Sequence, residues 1–223
     1  RDSYYTINGE DPRRTGGALS PTARVYEGST TTESLVSAGS VWKYLDDGSN
    51  QGTAWRQSGF NDAAWESGAA ELGYGDGNEV TTLSFGPNSN GKYPTTYFRR
   101  SFNATDVADF SRLNIGLRRD DGAVVYLNGV EVVRSGMPAG PINYLTNANT
   151  AAVGGNEVTF FPFTVPADAL NEGANTIAVE IHQISGSSSD ISFDLRLDGT
   201  KSATENPLVL EEAGAAVVRA RIR

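Results

Sequence analysis

Four aromatic residues lie in segments that connect predicted β-strands, and their rings could pack against a sugar: Trp55, Tyr74, Tyr93 and Tyr144. A flat ring buries the apolar face of a sugar with little loss of side-chain entropy. Neighbouring polar groups would bond the sugar hydroxyls, and the candidates are Asp76, Gln183 and Asp190, with Asn78, Asn88, Asn90, Ser188 and Ser189 beside them. The alternative is that the tryptophans are core residues. The sequence favours this for Trp65 and leaves Trp55 open.

An acidic segment with the sequence Asp46-Asp47-Gly48-Ser49-Asn50-Gln51-Gly52 is rich in oxygen ligands and turn glycines, as calcium sites require. It is not an EF-hand, because Gln57 occupies the place of the bidentate glutamate. We predict a structural calcium bound by Asp46, Asp47 and Asn50. The alternative is an Asx-turn loop with solvated carboxylates, and the rival calcium ligands are Asp76, Glu79, Asp120 and Asp121.

His182 is the sole histidine, and the chain has no cysteine, so a catalytic zinc site is excluded in practice. A Ser-His-Asp triad would need His182 together with Asp190 and with Ser185 or Ser187, and the sequence has no Gly-x-Ser-x-Gly elbow. We therefore predict no catalytic residue. We expect His182 to hydrogen-bond a loop beside the other ligand-binding candidates.

Short stretches in which apolar and polar residues alternate must position these groups. The clearest predicted strands are residues 41–45, 95–102, 113–118, 123–127, 130–134, 157–165, 175–182 and 192–197. Asn128-Gly129 between two of them is a strong hairpin signal. Only residues 60–67 have the character of a helical turn. The pattern predicts an all-β antiparallel sandwich of the jelly-roll type.

If successive strands alternate in direction, the long connections gather at one end of the sandwich. These connections are residues 46–53, 74–94, 119–122, 135–156 and 183–190. Long loops on a rigid scaffold are often functional. We therefore predict the binding site at that end.

The charge balance limits the possible partners. The net charge of −9 argues against nucleic acid, which binds clustered lysine and arginine. No stretch approaches the roughly 18 apolar residues that a membrane-spanning helix needs. We expect neither a nucleic-acid nor a membrane partner.

Four pieces between Trp42 and Leu197 occur in a characteristic order: Phe60-Asn61-Asp62-Ala63-Ala64-Trp65, Tyr97-Phe98-Arg99-Arg100-Ser101-Phe102, Val125-Tyr126-Leu127-Asn128-Gly129 and Leu170-Asn171-Glu172-Gly173-Ala174-Asn175-Thr176-Ile177-Ala178-Val179. Residues 40–199 thereby resemble the galactose-binding-like jelly roll of secreted bacterial glycosidases and carbohydrate-binding modules. The resemblance implies a secreted, multidomain bacterial protein, and it supports a structural calcium.

A second resemblance involves both ends of the chain. Tyr4-Tyr5-Thr6-Ile7-Asn8-Gly9-Glu10-Asp11-Pro12-Arg13 is similar to the opening of the chitobiase/β-hexosaminidase C-terminal domain, a small immunoglobulin-like module. That pattern resumes at Asn206-Pro207-Leu208-Val209-Leu210 and Val217-Val218-Arg219-Ala220-Arg221. We predict that residues 1–33 and 203–223 form one discontinuous module into which the jelly roll is inserted. Residues 29–34 would be a polar linker.

These expectations define three hypotheses about function. The first is a non-catalytic carbohydrate-binding module whose partners are a polysaccharide and adjacent domains of the same chain. The second is a structural spacer or protein-docking domain without glycan binding. The third and remotest is a hydrolase or lyase that uses His182.

Overall fold

The computed structural model describes residues 3–26, 30–202 and 219–221, and the account below is restricted to them. The chain divides into two compact units, one formed by Arg1–Thr31 with Ser202–Arg223 and the other by Thr32–Lys201. Regular structure in the described residues is β-strand with a few single 3-10 turns. The predicted all-β class and antiparallel sandwich are confirmed, whereas the predicted domain families and boundaries stay predictions.

The smaller unit contains one three-stranded antiparallel sheet. Its strands are β1 (Ser3–Thr6), β2 (Arg24–Tyr26) and β15 (Arg219–Arg221), in the order β15-β1-β2. Tyr4 opposes Arg221 on one side and Val25 on the other. The predicted resumption of the module at residues 206–210 lies outside the described residues.

The larger unit is a sandwich of two six-stranded sheets. Sheet I has the order β11-β10-β13-β8-β4-β5, and sheet II has the order β12-β9-β14-β6-β7 with β3 also paired to β14. The strands are β3 (Thr30–Val36), β4 (Val41–Leu45), β5 (Glu66–Ala69), β6 (Leu72–Tyr74), β7 (Thr81–Thr82), β8 (Thr95–Ala104), β9 (Phe110–Asp120), β10 (Gly122–Leu127), β11 (Val130–Ser135), β12 (Phe161–Val165), β13 (Gly173–His182) and β14 (Ile191–Ser202). Neighbouring strands in these two orders are antiparallel, except β6 and β7, which are parallel.

The core between the sheets is built from the alternating residues of the strands, as the period of two predicts. On β13 the core residues are Ile177, Val179 and Ile181, and on β14 they include Phe193. The Phe193 ring stacks on Phe98 with a centroid separation of 4.2 Å. Burial of these apolar faces is the main force that holds the two sheets together.

The opposite face of β13 is also buried, although its alternation predicts a wetter face. Ala178, Glu180 and His182 are each no more than 1% exposed. The segment between β4 and β5 covers this face with Trp55, whose ring meets Tyr97 at 4.8 Å and Tyr126 at 5.8 Å. A second apolar cluster therefore lies on the outer side of sheet I.

Three local predictions differ from the structure. Residues 30–36 form strand β3 instead of a linker, because an exposed edge strand can be as polar as a loop. Residues 60–67 contain a turn, in which Trp65 N donates to Asp62 O at 3.0 Å, followed by β5. The strand predicted over 157–165 begins only at Phe161, after a 3-10 turn at Gly154–Asn156.

One end of the sandwich, here called the loop end, is marked by strand termini that lie beside each other. Tyr74 opposes Ile191, and Thr95 opposes His182. Asp120 opposes Ser192 beside the Tyr74–Ile191 pair. These pairings place residues 75–94, 136–160 and 183–190 at the loop end, as the alternation of strand directions predicts. The Asn128-Gly129 hairpin turns at the other end, and both residues have positive φ.

Candidate functional site

Three acidic side chains from separate connections meet at the loop end. The carboxylate oxygens of Asp76, Glu157 and Asp190 lie within 4.8 Å of one another. Asp76 is exposed, and the other two are half-buried. Like charges this close repel each other, so the arrangement needs rigid support and favours a cation.

A glycine-rich turn brings Asp76 to this cluster. A Cβ on Gly73 would lie 2.1 Å from Ile191 O, and one on Gly75 would lie 2.6 Å from the Cβ of Asp190. Only glycine permits so close an approach between the two segments. The Glu79 carboxylate closes the turn by accepting hydrogen bonds from Asp76 N at 2.8 Å and Gly77 N at 2.9 Å. Glu79 therefore has a structural role.

Asp121 holds two further segments at the loop end. Its Oδ1 accepts a hydrogen bond from Ala152 N at 3.2 Å, in the segment that carries Glu157. Its Oδ2 accepts from Ile184 N at 2.7 Å and Ser188 Oγ at 3.4 Å, in the segment that carries Asp190. One buried carboxylate thus sets the positions of two members of the acidic cluster.

Asp120, the neighbour of Asp121, has no such partners. It is 1% exposed, and neither of its carboxylate oxygens accepts a hydrogen bond from a donor in the described part of the chain. The positive charge of the Arg119 guanidinium acts on Asp120. Arg119 donates its hydrogen bonds elsewhere, to Asp121 O and to Ser135 Oγ. A buried carboxylate without donors is costly, and this marks Asp120 as the unusual residue of the region.

The pKa values of Asp76 and Asp120 reflect how closely these acids lie to other acids. Burial, followed by the charges of Asp190 and Glu157, raises the pKa of Asp76 to about 6. Burial, followed by a hydrogen bond to the Asp121 carboxyl and by the charges of Asp121, Asp190 and Glu157, raises the pKa of Asp120 well above its ordinary value. Both shifts have the causes expected of acids that are buried close to one another.

Two of the predicted ligand-binding rings are buried. Trp55 has no exposed surface and is a core residue, which was the alternative that the sequence left open. Tyr74 is 6% exposed, and its hydroxyl accepts a hydrogen bond from Gln183 Nε2. Gln183 is itself 1% exposed, and its Oε1 has no donor within the described residues. Trp55 and Tyr74 therefore offer no ring face to a ligand, and their prediction as a sugar platform is wrong.

The other two rings are half-buried in packing contacts. Gly48 and Gly86 both approach the Tyr93 ring so closely that a Cβ would lie 2.3 Å and 2.7 Å from it, respectively. Tyr144 packs against the outer cluster of sheet I, and its carbonyl accepts a hydrogen bond from Thr95 Oγ1 at 3.0 Å. The four predicted rings do not form a common platform.

Phe85 is the ring that sequence reasoning missed. It is 36% exposed and meets Tyr74 edge-on at 5.3 Å. The Lys92 ammonium lies 5.6 Å from its centroid and donates to Ser188 O, which joins two loop-end segments. Its position in the long connection 74–94, which also carries other predicted binding residues, could have marked Phe85 as a candidate.

One side-chain oxygen of each predicted calcium ligand, Asp46, Asp47 and Asn50, accepts a backbone hydrogen bond. Asp46 Oδ2 accepts from Ser84 N at 2.6 Å. Asp47 Oδ1 accepts from Ser49 N at 2.9 Å, and Asn50 Oδ1 accepts from Gly52 N at 2.9 Å. Asp47 and Asn50 form Asx-turns, the alternative that the sequence offered, and calcium binding by this segment stays a prediction. Among the rivals, Asp76 and Asp120 lie in the acidic region.

His182 is also not placed to touch a ligand. It is fully buried, with Nδ1 at 2.9 Å from Thr95 Oγ1 and 2.7 Å from Thr146 O. Its Nε2 lies 3.3 Å from Glu180 Oε2. The prediction that His182 hydrogen-bonds a loop residue agrees with these contacts, but its role as a ligand-binding residue is not supported.

Of the predicted binding residues, the structure brings Asp76 and Asp190 together. Sequence reasoning missed Glu157, because the residue was placed inside a strand. The preceding Gly154-Gly155 was a signal that the chain turns there. Among the described residues, no helix has the length and apolar character needed to cross a membrane.

Comparisons with known proteins identify no family for the chain. No family model and no curated protein matches it. Among solved structures, β-glucuronidase 2 of Bacteroides uniformis is 17% identical, with a TM-score of 0.47 over 77% of this chain and 18% of its own. A β-glucuronidase of an uncultured Clostridium sp. is 17% identical, with a TM-score of 0.47 over 77% of this chain and 29% of its own. A β-glycosidase of Bacteroides vulgatus is 16% identical, with a TM-score of 0.46 over 75% of this chain and 20% of its own. The chain thus spans less than a third of each of these structures, and similarities at this level carry no argument about its function.

Proposed function

We propose that the larger unit is a non-catalytic carbohydrate-binding module of a secreted multidomain protein and that its loop end binds the glycan. The observation that carries the proposal is the convergence of residues 75–94, 136–160 and 183–190 at one end of a rigid sandwich. Binding residues are commonly presented by loops in this way. Asp121 and Lys92 tie these loops together, so the surface is preorganised.

The groups exposed at this end suit polar recognition with one apolar contact. Phe85 offers a partly exposed ring, and Asp76 offers a carboxylate. Asn88 and Asn90 are exposed in the same connection and can donate and accept hydrogen bonds. The acidic character of the surface favours neutral glycans over anionic ones.

The absence of catalysis is part of the proposal. His182, the sole histidine of the sequence, is fully buried beneath the loops and bonded to Thr95 and Thr146. A general base must be within hydrogen-bond reach of a substrate proton. The proposal therefore predicts that the module releases no reducing sugar from any polysaccharide that retains it.

Affinity electrophoresis against a panel of neutral polysaccharides tests the binding. We expect retardation of the wild-type protein and about a tenfold weaker affinity for Phe85→Ala, since a sugar–ring contact contributes on the order of 1.5 kcal/mol. Val130→Ala is the matched control, because Val130 is 63% exposed at the opposite hairpin end. Unretarded migration in every polysaccharide, or equal losses in both variants, would overturn the proposal.

A structural spacer is the second candidate, and the burial of Trp55 and Tyr74 favours it. A module with its predicted rings in the core has less apolar surface for a sugar. The spacer hypothesis predicts no retardation in any gel, together with a normal unfolding transition of the isolated chain. The same electrophoresis therefore separates the two candidates.

A further inference from the structure

We propose that Asn90, at the tip of the connection between β7 and β8, is a deamidation site at which the backbone nitrogen of Gly91 displaces ammonia from the asparagine side chain. The dipeptide Asn-Gly occurs three times in the chain, beginning at Asn8, Asn90 and Asn128. It is a reactive unit because glycine has no Cβ to shield its backbone nitrogen. The proposal concerns the chain itself and does not depend on carbohydrate binding.

The reaction needs water as its only co-reactant. The Gly91 nitrogen loses its proton to hydroxide and attacks Cγ of Asn90. The bond between Cγ and Nδ2 then breaks, and Nδ2 takes up a proton and leaves as ammonia. Water opens the resulting succinimide ring in one of two ways. Opening at Cγ gives an aspartyl side chain on the ordinary backbone, and opening at the backbone carbonyl carbon gives an isoaspartyl link.

The side chain of Asn90 is free to reach the next nitrogen. Asn90 is exposed, and its side-chain amide has no hydrogen-bond partner in the part of the chain that the structure describes. The surrounding turn is closed by two hydrogen bonds, from Asn90 N to Asn88 Oδ1 at 3.0 Å and from Gly91 N to Asn88 O at 3.0 Å. Solvent-exposed backbone hydrogen bonds at a loop tip open easily, so the Gly91 nitrogen becomes available for attack.

The hairpin Asn128-Gly129 contains the same two residues in surroundings that prevent the reaction. Asn128 Nδ2 donates to Ala169 O at 2.9 Å, and Asn128 Oδ1 accepts from Thr176 N at 2.9 Å. The Gln57 side chain covers Gly129 so closely that a Cβ there would lie 2.4 Å from Gln57 Nε2. Rotation of the amide towards the next nitrogen would break hydrogen bonds at both of its polar atoms.

Asn8-Gly9, in the smaller unit, is the intermediate case. Asn8 is exposed, as Asn90 is, but its Oδ1 accepts a hydrogen bond from Glu10 N at 3.2 Å. A single hydrogen bond restrains the side chain without covering it. We therefore expect Asn90 to react fastest, Asn8 more slowly and Asn128 most slowly.

Deamidation at Asn90 would alter the packing of the loop tip. Lys92 N donates to Gly186 O at 2.9 Å, and a Cβ on Gly186 would lie only 3.4 Å from the Gly91 Cα. An isoaspartyl link adds one carbon to the backbone directly before these contacts. The modified chain should therefore hold the tip less firmly against residues 183–190.

Peptide mapping by mass spectrometry, after incubation of the folded full chain at mildly alkaline pH, tests the proposal. The measured quantities are the fraction of each Asn-Gly peptide converted to the acid and the share of the isoaspartyl form. Conversion at Asn90 should be about tenfold faster than at Asn128 or more, since the bonds that restrain Asn128 add to the barrier. In urea the two rates should become equal, because unfolding releases Asn128.

Gly91→Ala should slow conversion at Asn90, because the added Cβ shields the attacking nitrogen. That Cβ would meet only the end of the Asn88 side chain, at 2.9 Å from Nδ2, so the variant should remain folded. Gly59→Ala is the matched control, because its Cβ would have no atom within 4 Å and the preceding residue is Ser58. The control should leave the rate at Asn90 unchanged.

Three results would overturn the proposal. One is conversion at Asn128 in the folded chain as fast as at Asn90. Another is an equal rate at Asn90 in Gly91→Ala and in the control. The third is an intact Asn90 in the folded chain after the time in which the unfolded chain converts fully.

Discussion

Two buried carboxylates of the larger unit, Glu180 and Asp120, are each 1% exposed but have opposite surroundings. Glu180, on the outer side of sheet I, accepts from Tyr126 Oη at 2.7 Å and from Arg56 at 3.2 Å, and lies 3.3 Å from His182 Nε2. Asp120, at the loop end, has no donor among the described residues and lies beside other acids. Equal burial therefore does not mean an equal role.

The pKa values follow this difference. Burial alone would raise the pKa of Glu180, but the His182, Tyr126 and Arg56 side chains together hold it below its ordinary value. Nothing comparable offsets the burial of Asp120, and its pKa is raised. A buried carboxylate that accepts hydrogen bonds from its own chain, as Glu180 does, has a structural role. A buried carboxyl beside other acids instead takes up a proton more readily.

The largest effect is expected from removal of Glu180. Glu180→Ala leaves the half-buried Arg56 and the buried His182 without their acceptor, and breaking one partner of a buried ion pair costs about 3–5 kcal/mol. Urea unfolding should show this loss in the free energy of unfolding. Glu131→Ala is the control, because its pair with Arg134 is at the surface and contributes less than about 1 kcal/mol. Equal losses in both variants would contradict the structural role of Glu180.

The next effect concerns the support of the acidic cluster. Gly75→Ala places a Cβ 2.6 Å from the Cβ of Asp190 and 2.9 Å from Ser189 O. Gly77→Ala shares the positive φ but has no atom within 4 Å. Overpacking costs about 1–3 kcal/mol, so Gly75→Ala should be destabilised by that much more than Gly77→Ala. Thermal unfolding of the two variants measures this difference.

Much of the sandwich could be predicted from its sequence because the alternation of apolar residues is local. Ile177, Val179 and Ile181 lie in the core, as their spacing predicts. The direction of each strand follows from counting strands, so the loop end was also predictable. The alternation of apolar and polar residues cannot reveal that another segment covers the outer face of a sheet. Glu180 is buried by the segment that carries Trp55 and Arg56, which is far away in sequence.

The candidate site was less predictable, because it depends on contacts between distant loops. Asp76 and Asp190 were recognised as polar loop residues, but their meeting is set by the Gly75 turn and by Asp121. Glu157 was assigned to a strand, because Val158 and Phe160 continue the alternation. The aromatic rings failed as predictors, because a ring near a strand end packs into a core as readily as it faces a ligand.

The pH dependence of the free energy of unfolding should distinguish the two regions by a smaller effect. The pKa of Glu180 is lowered in the folded state, so its contribution to stability is full above its unfolded value of 4.5. That contribution is lost as pH falls through the lowered folded pKa. In EDTA, the stability difference between wild type and Glu180→Gln should therefore narrow from about 1.5–3 kcal/mol at pH 7 towards zero at low pH. Both proteins keep the same loop end, so its titration cancels; a difference that is constant with pH would contradict the assignment.

The smallest effect has the opposite sign. Asp120→Asn replaces a carboxyl whose charged form is disfavoured by burial and by its neighbours Asp121, Asp190 and Glu157. Without metal, the free energy of unfolding should therefore rise by about 0.5–2 kcal/mol, the usual range for relief of an unfavourable charge. The isosteric change Glu180→Gln should lower it, because there the charge has donors. A loss of stability for Asp120→Asn in EDTA would mean that the chain itself satisfies Asp120, and the contrast with Glu180 would disappear.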